Sequence, residues 1–218
     1  MNALLGGRHA APDRAAALSS YQLLAPRYDA ACRLIEPLRL AAIDVLAPKA
    51  GETVYDVACG TGAVLPSLAQ RVGTRGRVIG IEQSLEMAQR AMARFPDGTL
   101  PPNVELLITA AEDASPPSPA DAMLFCYTHD VLQSPRALDN LLAHARSGAR
   151  VVILGLRLLP WWWGAPINLW NLWRGRHYRS TRRGLREPWA LLTARVNELR
   201  VERCFHLGTN YLAVGRAA

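Results

Sequence analysis

The run Thr53–Gly62, TVYDVACGTG, constrains this chain more than any other segment. A short strand, Thr53–Ala58, leads into a turn with glycines at Gly60 and Gly62, and a helical pattern follows over about Ala63–Val72 until Gly73 stops it. A second strand-like run, Arg77–Glu82, then ends in an acid. Strand, glycine turn, helix and strand in this order open an α/β nucleotide-binding fold, in which an acid at the tip of the second strand grips a ribose diol. The spacing predicts an adenosine-containing cofactor.

The alternation continues. Ser84 reads as the N-cap of a helix that runs to about Arg94 and ends before Pro96. Val104–Thr109, Ala122–Thr128 and Arg150–Leu156 read as strands, with a loop at Ser115–Pro119 and a helix over about Pro135–Arg146 that stops at Gly148. Met123–Phe125 and Val151–Leu154 are unbroken apolar runs, as strands covered on both faces should be. Upstream, Leu34, Leu38, Ala41 and Val45 fall on one helical face, and Pro37 marks either a kink or a first turn. At the far end, Leu199–His206 and Asn210–Gly215 are separated by three residues only. A connection that short makes an antiparallel hairpin, because a parallel pair needs a long crossover. The prediction is a Rossmann-like, doubly wound α/β sheet, mostly parallel with a reversed last strand and helices on both faces.

Charge narrows the partners. Of 25 basic residues, six arginines lie between Arg174 and Arg186 with no acid among them, while the other 19 nearly balance the chain's 18 acids. One basic segment is not a whole-surface nucleic-acid signature, so nucleic acid is an unfavoured partner. Lys49 is the only lysine, which reads as a codon-composition bias. Cys32, Cys59, Cys126 and Cys204 form no CxxC pair, which argues against a metal site or a disulfide framework and for a reducing cytoplasm. No secretory pattern opens the chain, and residues 1–19, rich in Ala, Gly and Arg, are expected to be loose. The longest candidate for a membrane span, Val151–Trp173, is broken by Arg157, Pro160 and Pro166. The expected organisation is one domain over 20–218, with 158–198 an insertion or lid over an acceptor site.

The cofactor class follows from what the turn lacks. A dinucleotide fingerprint needs a third glycine, yet Ala63, Val64 and Leu65 follow Gly62. No GK[ST] follows either, which removes a P-loop. Asp56–Gly62, DVACGTG, resembles the first motif of class I S-adenosylmethionine-dependent methyltransferases, and Gly80–Ser84, GIEQS, resembles their second. Thr109–Asp113 occupies the adenine-contacting turn of that family, Asp121–Asp130 its fourth strand and following loop, and the closing hairpin its reversed last strand. The resemblance covers roughly residues 20–158 and 199–216, and is nearest to small-molecule enzymes of the ubiquinone/menaquinone type. It implies S-adenosylmethionine as cofactor, with Asp56, Ala58, Gly60, Thr61, Gly62, Glu82, Gln83, Ala111, Glu112, Cys126 and Tyr127 around it. Two positions depart from the pattern. Ala58 stands where the first glycine is usual, and Ala110 where an acid or amide often meets the adenine amino group, leaving Glu112 or the Ala111 backbone for that contact.

The residue types suit such a ligand. Glycines let a carboxylate approach the amino end of a helix, where free N–H groups and the dipole favour an anion. Asp56 can hold the turn or an ammonium, and Glu82 can accept two hydroxyl hydrogens. For the acceptor, Tyr127, His129 and Asp130 fall at the end of the fourth strand. His129 is the candidate base, Asp130 its neighbour, and Tyr28, in Ala25–Asp29, a candidate to close the cleft. Ordinary alternatives stand beside each: a histidine bonded to a loop carbonyl, a tyrosine that packs. All six tryptophans lie between Trp161 and Trp189. They could line a pocket for an apolar or cationic acceptor, dock with the arginines on an anionic membrane, bind nucleic-acid bases, or form a small lid core. The expected activity is methyl transfer to a small or lipid-like acceptor with release of S-adenosylhomocysteine, in the cytoplasm or peripherally at a membrane. The alternatives are a phospholipid or amino-lipid N-methyltransferase at the membrane surface, and a non-catalytic adenosyl-binding protein.

Overall fold

The computed structural model describes residues 12–218. Seven strands form one sheet in the order β3-β2-β1-β4-β5-β7-β6. The strands β1 (Thr53–Val57), β2 (Arg77–Glu82), β3 (Val104–Ile108), β4 (Ala120–Cys126) and β5 (Ala145–Leu156) pair in parallel. The last two, β6 (Val196–Phe205) and β7 (Asn210–Ala217), make the expected hairpin, with β7 antiparallel to β5. Strand order turns back between β1 and β4, which opens a crevice beyond the carboxyl ends of the strands.

Side-chain alternation sends successive strand residues to opposite faces, and each face has its own core. On one face Val54, Leu124 and Val152 meet Leu65 and Leu68 of α4 (Leu65–Val72) and Ile43 and Leu46 of α3 (Glu36–Leu46). On the other, Tyr55, Phe125 and Ile153 meet Leu138 and Leu141 of α7 (Pro135–Ala143). The helix α5 (Leu85–Met92) follows β2, and Ser84 caps it, its side chain accepting the Met87 N–H at 3.3 Å.

Three expectations need correction. The helix before β1 buries Leu38, Arg39, Ala42, Ile43 and Leu46, not the face of Leu34, Ala41 and Val45. Leu34 belongs to a separate 3-10 turn, Arg33–Ile35, because Pro37 sits in the first turn of α3 and has no N–H to continue a helix from upstream. The helix α7 stops at Ala143 rather than Arg146, and β5 starts at Ala145. Leu141 is the last buried residue of α7, and polar Arg146–Gly148 extend as an exposed strand start beside a bulge at Ala120/Ala122. Residues 1–19 are not loose throughout. Residues 1–11 lie outside the described residues, but α1 (Arg14–Leu24) begins at Arg14, capped by Asp13, whose carboxylate accepts the Ala16 N–H at 3.1 Å. A short helix, α2 (Tyr28–Cys32), joins α1 to α3.

The segment 158–198 holds α8 (Trp161–Arg174) and α9 (Ala190–Thr193). Trp189 packs edge-on against Tyr211 with ring centroids 4.6 Å apart, so it belongs to the core. The other five tryptophans lie on α8. A further short helix, α6 (His129–Leu132), follows β4.

Candidate active site

The turn after β1 is built from backbone that only some residues adopt easily. Ala58, Gly60 and Gly62 all have positive φ, at 49°, 57° and 68°. The two glycines do different work. A side chain on Gly60 would meet nothing within 4 Å, so Gly60 leaves open space toward the crevice. A Cβ on Gly62 would stand 2.7 Å from the Ala91 Cβ, so Gly62 lets α5 pack against the turn and lies away from the crevice.

Glu82 ends β2 almost fully buried. One carboxylate oxygen accepts the Gly60 N–H at 2.9 Å and the other the Ser84 N–H at 2.8 Å. Burial raises its pKa while these backbone donors pull it down. Each oxygen keeps a second lone pair, so two hydroxyl hydrogens can still be accepted. Asp56, in β1, is 2% exposed, and its Oδ2 has no hydrogen-bond partner among the described residues. Burial pushes its carboxyl up to about 7, against the pull of nearby Arg39. A buried carboxylate without a partner is costly, and a ligand cation would relieve it. The donor set of this crevice therefore fits an adenosyl ligand, with diol acceptors at Glu82 and open backbone at Gly60, and the buried carboxyl of Asp56 behind it suits the ligand's ammonium group.

The crevice is lined by eleven of the fourteen residues expected at the site: Tyr28, Ala58, Gly60, Glu82, Gln83, Ala111, Glu112, Cys126, Tyr127, His129 and Asp130. The remaining three, Asp56, Thr61 and Gly62, do not line it. Asp56 lies beneath the wall. Thr61 points away; its hydroxyl donates to Asp29 at 2.6 Å and accepts from Arg94 at 3.2 Å, and Asp29 and Arg94 pair at 2.7 Å. The Thr61 hydroxyl thus ties α2 to the segment just past α5. Glu112 faces the crevice, but one of its oxygens already accepts the Ser134 hydroxyl at 2.6 Å.

Both candidate catalytic groups at the end of β4 are already bonded, His129 in the ordinary way named above, to a loop carbonyl. Asp130 is not a free carboxylate: its Oδ2 accepts both the N–H and the hydroxyl of Ser180 at 2.7 Å, and Oδ1 the Thr181 N–H at 3.4 Å. It anchors the loop after α8. His129 Nε2 lies 2.9 Å from the Arg183 carbonyl, which can only accept, so the proton sits on Nε2 and Nδ1 carries the lone pair. Nδ1 has no partner among the described residues. Burial lowers the imidazole pKa to about 4, which leaves His129 neutral near pH 7. As a proton acceptor it is weaker than the sequence suggests; as a hydrogen-bond acceptor it is intact.

One wall was not legible from sequence. Asp13, Arg14, Ala17 and Tyr21 of the α1 region cover the crevice, together with Tyr178 and Ser180. Ser180 accepts the Asp13 N–H at 2.9 Å, Tyr21 donates to the Tyr178 carbonyl at 3.0 Å, and Tyr28 stacks edge-on with both Tyr21 and Tyr178. The N-cap pattern at Asp13 was the one available signal for α1.

Behind this wall lies a second cavity of ≈ 940 Å³, at the upper end of the range for small-molecule sites. Tyr21, Tyr28, Tyr127, Thr128, His129 and Tyr178 line both spaces and form a wall shared between them. The rest of the chamber is largely apolar and aromatic, with Ile35, Leu132, Leu156, Ile167, Trp170 and Trp173 in its wall. Five buried side-chain polar atoms lack a partner among the described residues. Four of them, Thr128 Oγ1, His129 Nδ1, Arg179 Nε and Tyr211 Oη, belong to chamber-lining residues, so unspent polar groups gather here.

A family model described as a methyltransferase domain matches residues 54–148. Over 110 residues the chain is 32% identical to aklanonic acid methyltransferase DauC of Streptomyces sp. (strain C5), covering 50% of this chain and 49% of that protein. Over 143 residues it is 30% identical to the ubiquinone/menaquinone biosynthesis C-methyltransferase UbiE of Syntrophotalea carbinolica, covering 62% and 58%. The chain thus spans only about half the length of these two curated relatives. Among solved structures it is similar to a SAM dependent methyltransferase from Aquifex aeolicus, with a TM-score of 0.53 and 25% identity over 81% of this chain and 87% of that one.

Proposed function

We propose that this chain is a class I S-adenosylmethionine-dependent methyltransferase, as the methyltransferase-domain match over residues 54–148 supports, and that it methylates a small, apolar or lipid-like acceptor and releases S-adenosylhomocysteine. The observation that carries this reading is the shared wall: six side chains stand between the adenosyl crevice and a ≈ 940 Å³ largely apolar chamber. When bound, the cofactor supplies an electrophilic methyl group on a positively charged sulfur. Everything else is alignment and exclusion of water, which the protein must provide.

Glu82 would hold the ribose diol, the Gly60 backbone would face the methionine end, and Asp56 would balance its ammonium. Tyr21, Tyr28 and Tyr178, which line the crevice, would shield it from water. On the chamber side, Thr128 Oγ1 and His129 Nδ1 are the unpartnered groups nearest the shared wall, and they would orient the polar atom of the acceptor that attacks. The rest of the acceptor would lie against the apolar wall, whose aromatic rings contribute most of the buried area. A second reading, N-methylation of a phospholipid or amino-lipid headgroup, is favoured by Trp170 and Trp173, whose rings line the chamber and can face a cationic amine.

The test has two steps. Titration calorimetry should find one S-adenosylhomocysteine site per chain and much weaker NAD; tighter NAD binding would overturn the cofactor reading. Transfer of radiolabelled methyl groups should then be followed over a panel of apolar phenols, carboxylic acids and amino-lipids. Tight S-adenosylhomocysteine binding with no transfer to any of these would instead favour a non-catalytic adenosyl-binding protein.

A further inference from the structure

The helix α8 is amphipathic in the wrong sense for a surface helix in water. Its buried residues are Gly164 and Asn168, one turn apart. They dock it onto the end of β5: Asn168 exchanges two 2.9 Å hydrogen bonds with the Leu159 backbone, and a Cβ on Gly164 would come within 2.4 Å of the Leu159 Cβ. The opposite face carries Trp162, Pro166, Leu169 and Trp173, at helical spacing and all exposed, Trp162 at 87%. A solvated surface helix shows the reverse pattern.

The same apolar character surrounds the chamber mouth. Leu34 and Leu207, 78% and 76% exposed, line the chamber together with Trp170 and Trp173, which are also exposed. These residues come from three separate parts of the chain. Leu207 is held outward at a φ of 59°, a left-handed conformation that a leucine rarely adopts. Exposed apolar patches of this kind mark interaction surfaces.

Charge selects the partner. Arg174 ends α8 and five more arginines follow up to Arg186; none of the six is ion-paired among the described residues, and residues 1–11 contain no acid that could pair with them. In a two-fold dimer through this face the arginine run would lie against its own copy, which like charges oppose. An anionic lipid surface suits both features, since tryptophan favours the bilayer interface and arginine the acidic headgroups. Among the described residues no helix is long and apolar enough to cross a membrane, so α8 would lie in the interface plane.

We propose that the exposed face of α8 and the collar at Leu34 and Leu207 dock the protein on an anionic bilayer, with the chamber mouth open to the lipid. Docking stands independently of methyl transfer; only the further step, that the acceptor enters from the lipid, rests on the function proposed above.

The test is sedimentation of the full chain with phosphatidylglycerol-containing vesicles and with pure phosphatidylcholine vesicles, together with quenching of tryptophan emission by brominated lipid. Binding should favour the anionic vesicles, weaken as salt rises, and quench the tryptophans. The double substitution Trp162→Gln/Trp173→Gln, and separately Leu207→Asn, which tolerates the left-handed backbone, should weaken binding with no loss of melting temperature. Arg182→Gln/Arg183→Gln should weaken it about tenfold or more. No binding to anionic vesicles at low salt overturns the proposal. So does binding indifferent to the tryptophan and leucine variants, or a concentration-dependent dimer that those variants abolish. S-adenosylhomocysteine affinity, measured on the same proteins, reports on the cofactor reading alone.

Discussion

Glu82 at the end of β2 accepts the backbone N–H of Gly60, in the turn after β1, at 2.9 Å. The acid suited to a ribose therefore also holds in place the turn that faces the other end of the ligand. Loss of its charge should act twice. Glu82→Ala is expected to weaken S-adenosylhomocysteine binding by about 2–4 kcal/mol, with partial replacement by water, and to lower stability by about 1–3 kcal/mol as two buried N–H groups lose their acceptor. Glu82→Gln should be nearly as damaging, because an amide NH₂ must face one of those donors. Calorimetry and thermal unfolding check both, and an unchanged affinity would place the ribose elsewhere.

The glycine turn makes opposite predictions at its two ends. Ala58 sits at a φ of 49° and lines the crevice, so Ala58→Gly should relieve about 1–2 kcal/mol of backbone strain, partly offset by the freedom glycine gains when unfolded. Melting temperature should rise slightly or stay level, and cofactor affinity should not fall. Gly62→Ala adds a methyl group 2.7 Å from the Ala91 Cβ at a φ of 68°. It should destabilise by roughly 2–4 kcal/mol, combining strain with overpacking. A neutral Gly62→Ala would mean that α5 can retreat from the turn.

These two positions also show what a sequence can and cannot display. The bounds of β2 and the existence of the closing hairpin were legible because apolar runs and a short connection are local facts, although β6 starts three residues earlier, at Val196, and the connection has four residues rather than three. The place of Glu82 at the crevice was legible because it follows from the end of the second strand. The direction of the Thr61 side chain was not, since adjacency to the motif does not tell which way a side chain points, and its partners Asp29 and Arg94 lie 32 and 33 residues away. The Tyr21–Tyr178 contact spans 157 residues, so no local pattern announces that α1 covers the crevice. Asp130 reads as a reactive group because it falls at the end of the fourth strand; its Ser180 partner lies 50 residues on.

Asp56 sets a pH dependence. Its folded-state carboxyl is raised to about 7, against about 3.9 when unfolded. The fold then favours the neutral acid, so this group's contribution to stability is complete below about pH 4 and declines as pH rises to about 7. A bound ammonium would hold Asp56 ionised, and binding below pH 7 would expel its proton. S-adenosylhomocysteine affinity should therefore rise by up to about tenfold per pH unit between pH 5 and 7, and level off above. Calorimetry in buffers of different ionisation enthalpy should detect the released proton at pH 6. Asp56→Asn should abolish both effects; a persistent slope would assign the proton to another group.

Asp130 predicts a local change. Asp130→Asn should weaken three hydrogen bonds to Ser180 and Thr181 while leaving the sheet intact. The loop then loses about 1–3 kcal/mol of its hold, since bonds to a charged acceptor are the stronger kind. Hydrogen exchange should quicken in peptides covering 178–183 and, through the Asp13–Ser180 and Tyr21–Tyr178 contacts, in α1. Faster exchange spread evenly over the chain would show instead a global loss of stability.

His129 decides how the acceptor is activated. With the proton on Nε2 and a pKa lowered to about 4, its Nδ1 at pH 7 is a ready hydrogen-bond acceptor but a poor final home for a proton. The stability it contributes is present above about pH 6.5 and lost as pH falls toward 4, because the unfolded imidazole takes up a proton first. We expect turnover, once an acceptor is in hand, to show no inflection near pH 6.5 attributable to this residue. His129→Ala should cost about tenfold to a hundredfold through lost orientation, and His129→Asn, which restores an acceptor atom on a similar stem, should recover most of it. Loss of about 10²–10⁴-fold in both variants is the signature of proton removal in the transition state. That result would mean that the bound ligands raise the imidazole pKa well above the value of about 4 that burial sets, and His129 would then be the general base.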